Sequence, residues 1–345
     1  MYKENRIFRS EFVPIRGLDY HVRTWNAASA QTSAASPLHQ PGSQDRLCRT
    51  AGAAAPSGGS AVREATSAGT PLVLLHGWMD VAASYQFMAD AFSSEFAAGR
   101  TIIAPDWRGF GQTGLSPDGW QTDTYWFADY LADLDFLLDH FAPGQAVDLV
   151  GHSMGGNVAM LYAGVRPARI RKLVNLEGFG LPASRPSQAP SRYAAWMDGL
   201  KSLQRGEMDL KTYDDVSGVA RRLAKTNPRL SPDKALWLAG HWARPDAAGR
   251  WQILGNPAHK IASAHLYRVD EVQEIYQRIS APVLAVEAAS DSMAQWWKSQ
   301  YSLAEYHERL RQVPDARVAV VQNAGHMLHH DQPEVLAELI EAFLA

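Results

Sequence analysis

The chain reads as an α/β protein: a largely parallel sheet flanked by helices, with a helical subdomain inserted late in the chain. Three observations predict this. Short, continuous apolar runs of strand length alternate with segments of helical spacing. A glycine-framed serine stands between one such strand and the helix after it. The alternation pauses from residue 181 to 278 and then resumes.

The elements follow in order. Residues 7–25 alternate apolar and polar positions in two runs separated by Gly17, which predicts an antiparallel hairpin at a sheet edge. From 26 to 68, Ala, Ser, Gly, Pro and Gln dominate and large apolar residues almost vanish. Such a segment buries too little surface to offset its ordering entropy, so it is expected to be a flexible insertion. Residues 72–75 (LVLL), 101–104, 147–150, 172–176, 282–286 and 318–321 are apolar runs expected of strands buried on both faces. Between them, 83–97, 124–141, 155–166, 300–312 and 334–344 carry helical spacing. The α/β core is therefore assigned to 1–180 and 279–345, and 181–278 to a helical lid. Ligands of such sheets bind beyond the carboxyl ends of the strands, so an insertion there would lie over the site. The lid segment carries Trp196, Met197, Trp237, Trp242 and Trp251, which suit either an apolar pocket or the lid's own core.

Bulk composition narrows the function classes. Of 345 residues, 46 % are hydrophobic and 20 % charged, with a net charge of -3, which excludes the concentrated basic excess of a nucleic-acid binder. A lone cysteine, Cys48, rules out an intramolecular disulfide. The first residues hold no apolar run of leader length, and no stretch has the length of a membrane span. The expectation is a soluble cytoplasmic protein acting on a small molecule; the oligomeric state stays open.

The chemistry centres on Gly151-His152-Ser153-Met154-Gly155, a G-x-S-x-G run between the strand at 147–150 and a helix. A serine there sits on a strained turn with its hydroxyl projecting from the sheet, while the helix aims its first amides at the reaction centre. His326, in Asn323-Ala324-Gly325-His326 after the last strand, is the candidate general base. His329 and His330 are expected to cap or solvate the start of the final helix. Two carboxylates compete as the acid that orients the base. Asp291 follows the strand at 282–286 and gives the chain order Ser, Asp, His; it is preferred. Glu177 ends the strand at 172–176 and is the alternative. In His76-Gly77-Trp78-Met79 the Trp78 N–H would join the Met154 N–H in an oxyanion hole, with His76 fixing the loop. Asp106 and Arg108 are read as loop-holding groups.

His76-Gly77-Trp78, Asp106-Trp107-Arg108-Gly109-Phe110-Gly111, Gly151-His152-Ser153-Met154-Gly155-Gly156, Asp291 and His326 together resemble the α/β-hydrolase superfamily, in particular its lid-bearing serine hydrolases. The resemblance implies an eight-stranded sheet, a Ser-His-acid triad, a helical lid, and no cofactor or metal. Relatives that dehalogenate or open epoxides carry an aspartate at the nucleophile position, so Ser153 argues against both reactions. The expected activity is that of a carboxylesterase-like enzyme, cleaving an ester or lactone of a small, largely apolar substrate through an acyl-enzyme. The alternatives are C–C bond hydrolysis or perhydrolysis on the same triad, and a non-catalytic ligand-binding member of the fold.

Overall fold

The structure is a computed structural model that describes residues 2–26, 69–116, 119–120 and 122–345. Nearly all of the segment expected to be flexible, 26–68, lies outside the described residues.

Eight strands form the central sheet: β1 (Phe8–Ile15), β2 (Leu18–Trp25), β3 (Leu72–Leu75), β4 (Ile102–Pro105), β5 (Val147–His152), β6 (Ile170–Leu176), β7 (Val283–Ala288) and β8 (Ala316–Val321). Their order is β1-β2-β4-β3-β5-β6-β7-β8. The β1–β2 hairpin and the β2–β4 pair are antiparallel, and from β4 to β8 every pairing is parallel. The longer helices flank or cover this sheet: α1 (Gln86–Ala91), α2 (Phe127–Phe141), α3 (Met154–Val165), α4 (Ala189–Gln204), α5 (Val216–Thr226), α6 (Pro232–Trp242), α7 (Val269–Tyr276), α8 (Leu303–Leu310) and α9 (Pro333–Leu344). Among the described residues, no helix is long and apolar enough to cross a membrane.

Strand periodicity explains why the buried runs are continuous. On β3, Val73 and Leu75 face one helix layer, built largely from α2, α3 and α7, while Leu72 and Leu74 face the other, built from α1 and α9. Successive side chains point to opposite faces, so a strand covered on both must be apolar throughout. The exception on β5 is Asp148, fully buried, whose carboxylate accepts from Arg100 at 2.7 Å and Arg171 at 2.6 Å. The loop after β4 is held likewise: Arg108 forks onto buried Asp133 of α2, which also accepts from Tyr20 Oη at 2.6 Å and Arg16 at 2.9 Å.

The structure differs from expectation in four places. The apolar run 318–321 is not buried on both faces: β8 is the edge strand of the sheet, and Val318 and Val320 are 47 % and 53 % exposed. The helical stretch 83–97 is broken, because the chain extends at Phe92 (ψ 137°) and Ser93 caps a new turn by accepting from the Phe96 N–H at 3.1 Å. The 181–278 segment is not purely helical. Thr212–Tyr213, Ala243–Pro245 and Trp251–Ile253 pair antiparallel, in strands too short for any periodicity to register. And α7, which falls within that segment, packs into the main core through Val272 and Tyr276.

α5 and α6 make a cluster of their own in which Val219, Leu223, Leu238 and Trp242 enclose Val81, Ala83 and Phe87 from the segment after β3. Trp237 and Trp251 pack against the same cluster. The cluster is tied down by hydrogen bonds from Trp242 Nε1 to Met79 O (3.0 Å), Gly111 N to Leu254 O (2.9 Å) and Asn256 N to Gly109 O (2.8 Å).

Gly164 is where α3 and α7 meet most closely: a Cβ there would stand 2.1 Å from the Ile275 carbonyl oxygen. Gly164→Ala should therefore push the two helices apart and destabilise the protein by about 1–3 kcal/mol. Chemical denaturation checks this, with an unchanged midpoint as the contrary result.

Candidate active site

The site is built on a turn that allows almost no side chains. Between β5 and α3, Ser153 takes φ 51°, ψ −113°, a conformation that costs an L-residue about 1–3 kcal/mol. Its neighbours have no room for a Cβ. One on Gly151 would lie 2.4 Å from Gly155 O, and one on Gly155 would lie 2.1 Å from Leu75 O. The turn is thus pressed against α3 on one side and β3 on the other, and the Ser153 N–H is held by Leu176 O of β6 at 2.8 Å.

Across the strand ends lies the loop after β3. A Cβ on Gly77 would meet Ser153 Cβ at 3.2 Å and His152 Nδ1 at 2.9 Å, so the Gly77 backbone faces the serine directly. His76 fixes this loop. Its Nε2 accepts the Trp107 N–H at 2.8 Å, which leaves the proton on Nδ1, and Nδ1 donates to Gly77 O at 2.7 Å. Burial pulls its basicity down, so it stays neutral. Trp78 is 52 % exposed and lines no core. No described residue accepts from its backbone N–H. The Met154 N–H is the first amide of α3 and has no intrahelical partner.

His326 stands on the loop after β8. Its Nδ1 lies 3.2 Å from Glu177 Oε2. Glu177 ends β6 at φ 56° and is 3 % exposed. Its Oε1 accepts the Ala288 N–H at 2.7 Å and its Oε2 accepts the Ser292 hydroxyl. Burial raises the Glu177 carboxyl, and those two hydrogen bonds oppose the rise. Burial also pulls the His326 imidazole well below its ordinary value. Trp296 packs edge-on over the ring, with centroids 3.9 Å apart. From behind, His152 Nε2 donates to the His326 carbonyl at 2.7 Å.

Asp291 is placed elsewhere. It is exposed, and its carboxylate caps the helical turn Ser292–Trp297 by accepting the Ala294 N–H at 2.9 Å, with no hydrogen bond to His326. The structure brings Glu177 to the imidazole and leaves Asp291 outside. An Asp directly before a helical run also reads as an N-cap, which gives Asp291 a second role without placing Glu177. Sequence reasoning passed over Ser292, Trp296 and His152. It also read His329 and His330 as capping or solvated, whereas they are 0 % and 5 % exposed. Asp106 is a loop-holding group: it accepts from Ala82 N (2.7 Å) and Gln112 N (3.0 Å) and faces His21 Nδ1 (2.7 Å).

Comparison with known proteins bears on the fold that carries this site. A sequence profile of the α/β hydrolase fold matches residues 70–333. The chain is 24 % identical to the sn-1-specific diacylglycerol lipase ABHD11 of Mus musculus over 79 % of its own length and 80 % of that protein. It is 25 % identical to the 2-hydroxymuconate semialdehyde hydrolase of Pseudomonas putida, over 80 % of this chain and 88 % of the relative. Among solved structures, the thioesterase domain from the curacin biosynthetic pathway superposes with a TM-score of 0.71 at 21 % identity, covering 97 % of this chain and 99 % of that one.

The strained turn has a thermodynamic signature. Ser153→Gly should be more stable than Ser153→Ala by about 1 kcal/mol, because only glycine adopts φ 51°, ψ −113° without penalty. Paired denaturation curves test this, and equal stability would remove the strain argument.

Proposed function

This chain belongs to the α/β hydrolase fold family, and from that premise we propose that it is a serine hydrolase that cleaves a carboxylic ester or lactone of a small, largely apolar substrate through an acyl-enzyme. The relatives support hydrolase activity. The observation that carries the finer reading is the pairing of half-buried His326 with buried Glu177, at the same strand ends as the strained Ser153.

In this reading Ser153 is the nucleophile, His326 the base and Glu177 the acid. With Nδ1 donating to Glu177, Nε2 is the free base of the imidazole. No hydrogen bond joins Ser153 Oγ to His326 in this structure; such contacts commonly tighten only when substrate is bound. Ser153 Oγ attacks the carbonyl carbon as Nε2 takes its proton. The oxyanion forms against the Met154 and Trp78 amides, each contributing about 2.7–4 kcal/mol to the transition state. The imidazolium, stabilised by Glu177, then protonates the leaving alkoxide. Water repeats the cycle on the acyl-enzyme and releases the acid. Helices α4 to α6 and their short strands form the lid, anchored on the segment after β3.

A second reading, hydrolysis of an activated C–C bond, is favoured by the likeness to the semialdehyde hydrolase. The same groups serve it, since a stabilised carbanion replaces the alkoxide as leaving group. Labelling with a fluorophosphonate, followed by a panel of esters, lactones and β-diketones, tests both. A single adduct on Ser153, lost in Ser153→Ala, is expected, with turnover ranking ester above diketone. Absence of any adduct would sink the serine hydrolase reading.

The acid assignment has its own test. Glu177→Gln should lower kcat by about 10³–10⁴-fold, because the imidazole loses its orienting carboxylate. Asp291→Asn should change kcat only a few-fold at most, since the cap lies outside the triad. The opposite ranking would reinstate Asp291. The pH profile follows from burial. His326 works when neutral, and its burial lowers its basicity, so the acid limb of kcat/KM should lie below about pH 6.5, with a plateau through neutrality. A limb at or above pH 7 would contradict the environment described.

A further inference from the structure

Behind the His326 loop lies a second group of side chains with no part in the hydrolytic steps. Asp80 belongs to the loop after β3, two residues beyond Trp78, while His329 and His330 lie in the helical turn Leu328–Asp331. All three are buried, at 6 %, 0 % and 5 % exposure. Each offers a donor atom, and these atoms lie within 4.8 Å of one another. Asp80 Oδ2, both ring nitrogens of His329 and Nε2 of His330 have no hydrogen-bond partner. Four polar atoms without a protein partner in one buried cluster are uncommon in folded proteins, whose buried polar groups are nearly always satisfied.

We propose that Asp80, His329 and His330 bind one first-row transition-metal dication of the zinc class.

The donor set selects the ion. Two imidazoles and one carboxylate suit zinc, cobalt, nickel or copper, and suit magnesium or calcium poorly. Three protein ligands leave a fourth position for water. The carboxylate is prepared for ligation: Asp80 Oδ1 is engaged by the Ser84 hydroxyl, which leaves Oδ2 as the free oxygen, 3.8 Å from His329 Nε2. The His329 and His330 rings are already gathered, with centroids 4.2 Å apart. Donors around a tetrahedral zinc stand about 3.4 Å apart, so the three groups need to close by no more than about 1.4 Å. The Lys234 ammonium over the Phe87 ring opposes a cation near His330, and the Asp80 carboxylate offsets it. His152 stands between this cluster and the base, its ring 4.4 Å from His329 and 4.7 Å from His326. The ion would therefore join the loop after β3 to the loop carrying His326 without touching Ser153.

The test uses the full chain stripped with chelator and dialysed. Cobalt(II) is titrated as a spectroscopic probe and zinc(II) by calorimetry. The expected result is one cobalt per chain, with the visible ligand-field bands of a four- or five-coordinate site, displaced by zinc and accompanied by a rise in melting temperature. Asp80→Asn and His330→Gln should each weaken binding by at least about 10-fold, while Ser153→Ala should leave it unchanged. X-ray absorption on the zinc-loaded wild type should show imidazole scattering from two ligands, a readout that does not depend on how well the variants fold. Failure of the stripped wild type to take up stoichiometric metal would overturn the proposal. So would uptake that survives both variants unaltered, or an absorption spectrum without imidazole scattering.

Discussion

The site rests on one constraint: the chain between β5 and α3 is pressed against the start of α3 at Gly151 and against the end of β3 at Gly155, so that no side chain fits at either. A Cβ at either position would lie within 2.4 Å of a backbone atom. Interiors are packed too densely to yield to such a clash, so the turn keeps its place only with glycine on both sides of Ser153. Tight packing in turn holds the serine at positive φ. Part of the folding free energy of the sheet is therefore retained as local strain at one residue. The Gly77 backbone faces that residue across the strand ends, and α3 begins directly after it.

The electrostatics of the site follow from burial. Glu177 sits at the end of β6, where its carboxylate can receive an amide from the neighbouring strand end and a hydroxyl from the next loop. These partners hold the carboxylate in place beside the imidazole, while burial weakens the basicity of His326. Asp291, a short distance along the chain from β7, is exposed and occupied with a helix cap. Of the two carboxylates, the one that lost its water is the one aligned with the base.

The segment after β3 has three tasks at once. It presents the Gly77 backbone to the serine, provides Val81, Ala83 and Phe87 to the cluster that seats α5 and α6, and brings Asp80 to the paired histidines. The covering helices are thereby joined to the loop that faces the nucleophile, the Trp242–Met79 hydrogen bond among the contacts.

Local physics alone determined the strands, since doubly covered strands must be apolar throughout, and it determined the serine turn, since glycine is demanded at fixed offsets. The glycine-framed turn at Ser153 and the hairpin at 7–25 were legible for that reason, as was the break in strand alternation from 181 to 278. The strands of two or three residues inside that break were not, because pairing partners far apart in sequence create them. Nor were the buried state of His329 and His330, the packing of α7 into the main core, and the choice between Glu177 and Asp291. Both carboxylates follow strands and both precede turns, so chain order cannot separate them. Only the tertiary structure decides which one is buried against the imidazole, because burial and hydrogen bonding depend on neighbours, such as Ala288 and Ser292, that lie more than 100 residues from Glu177 in sequence.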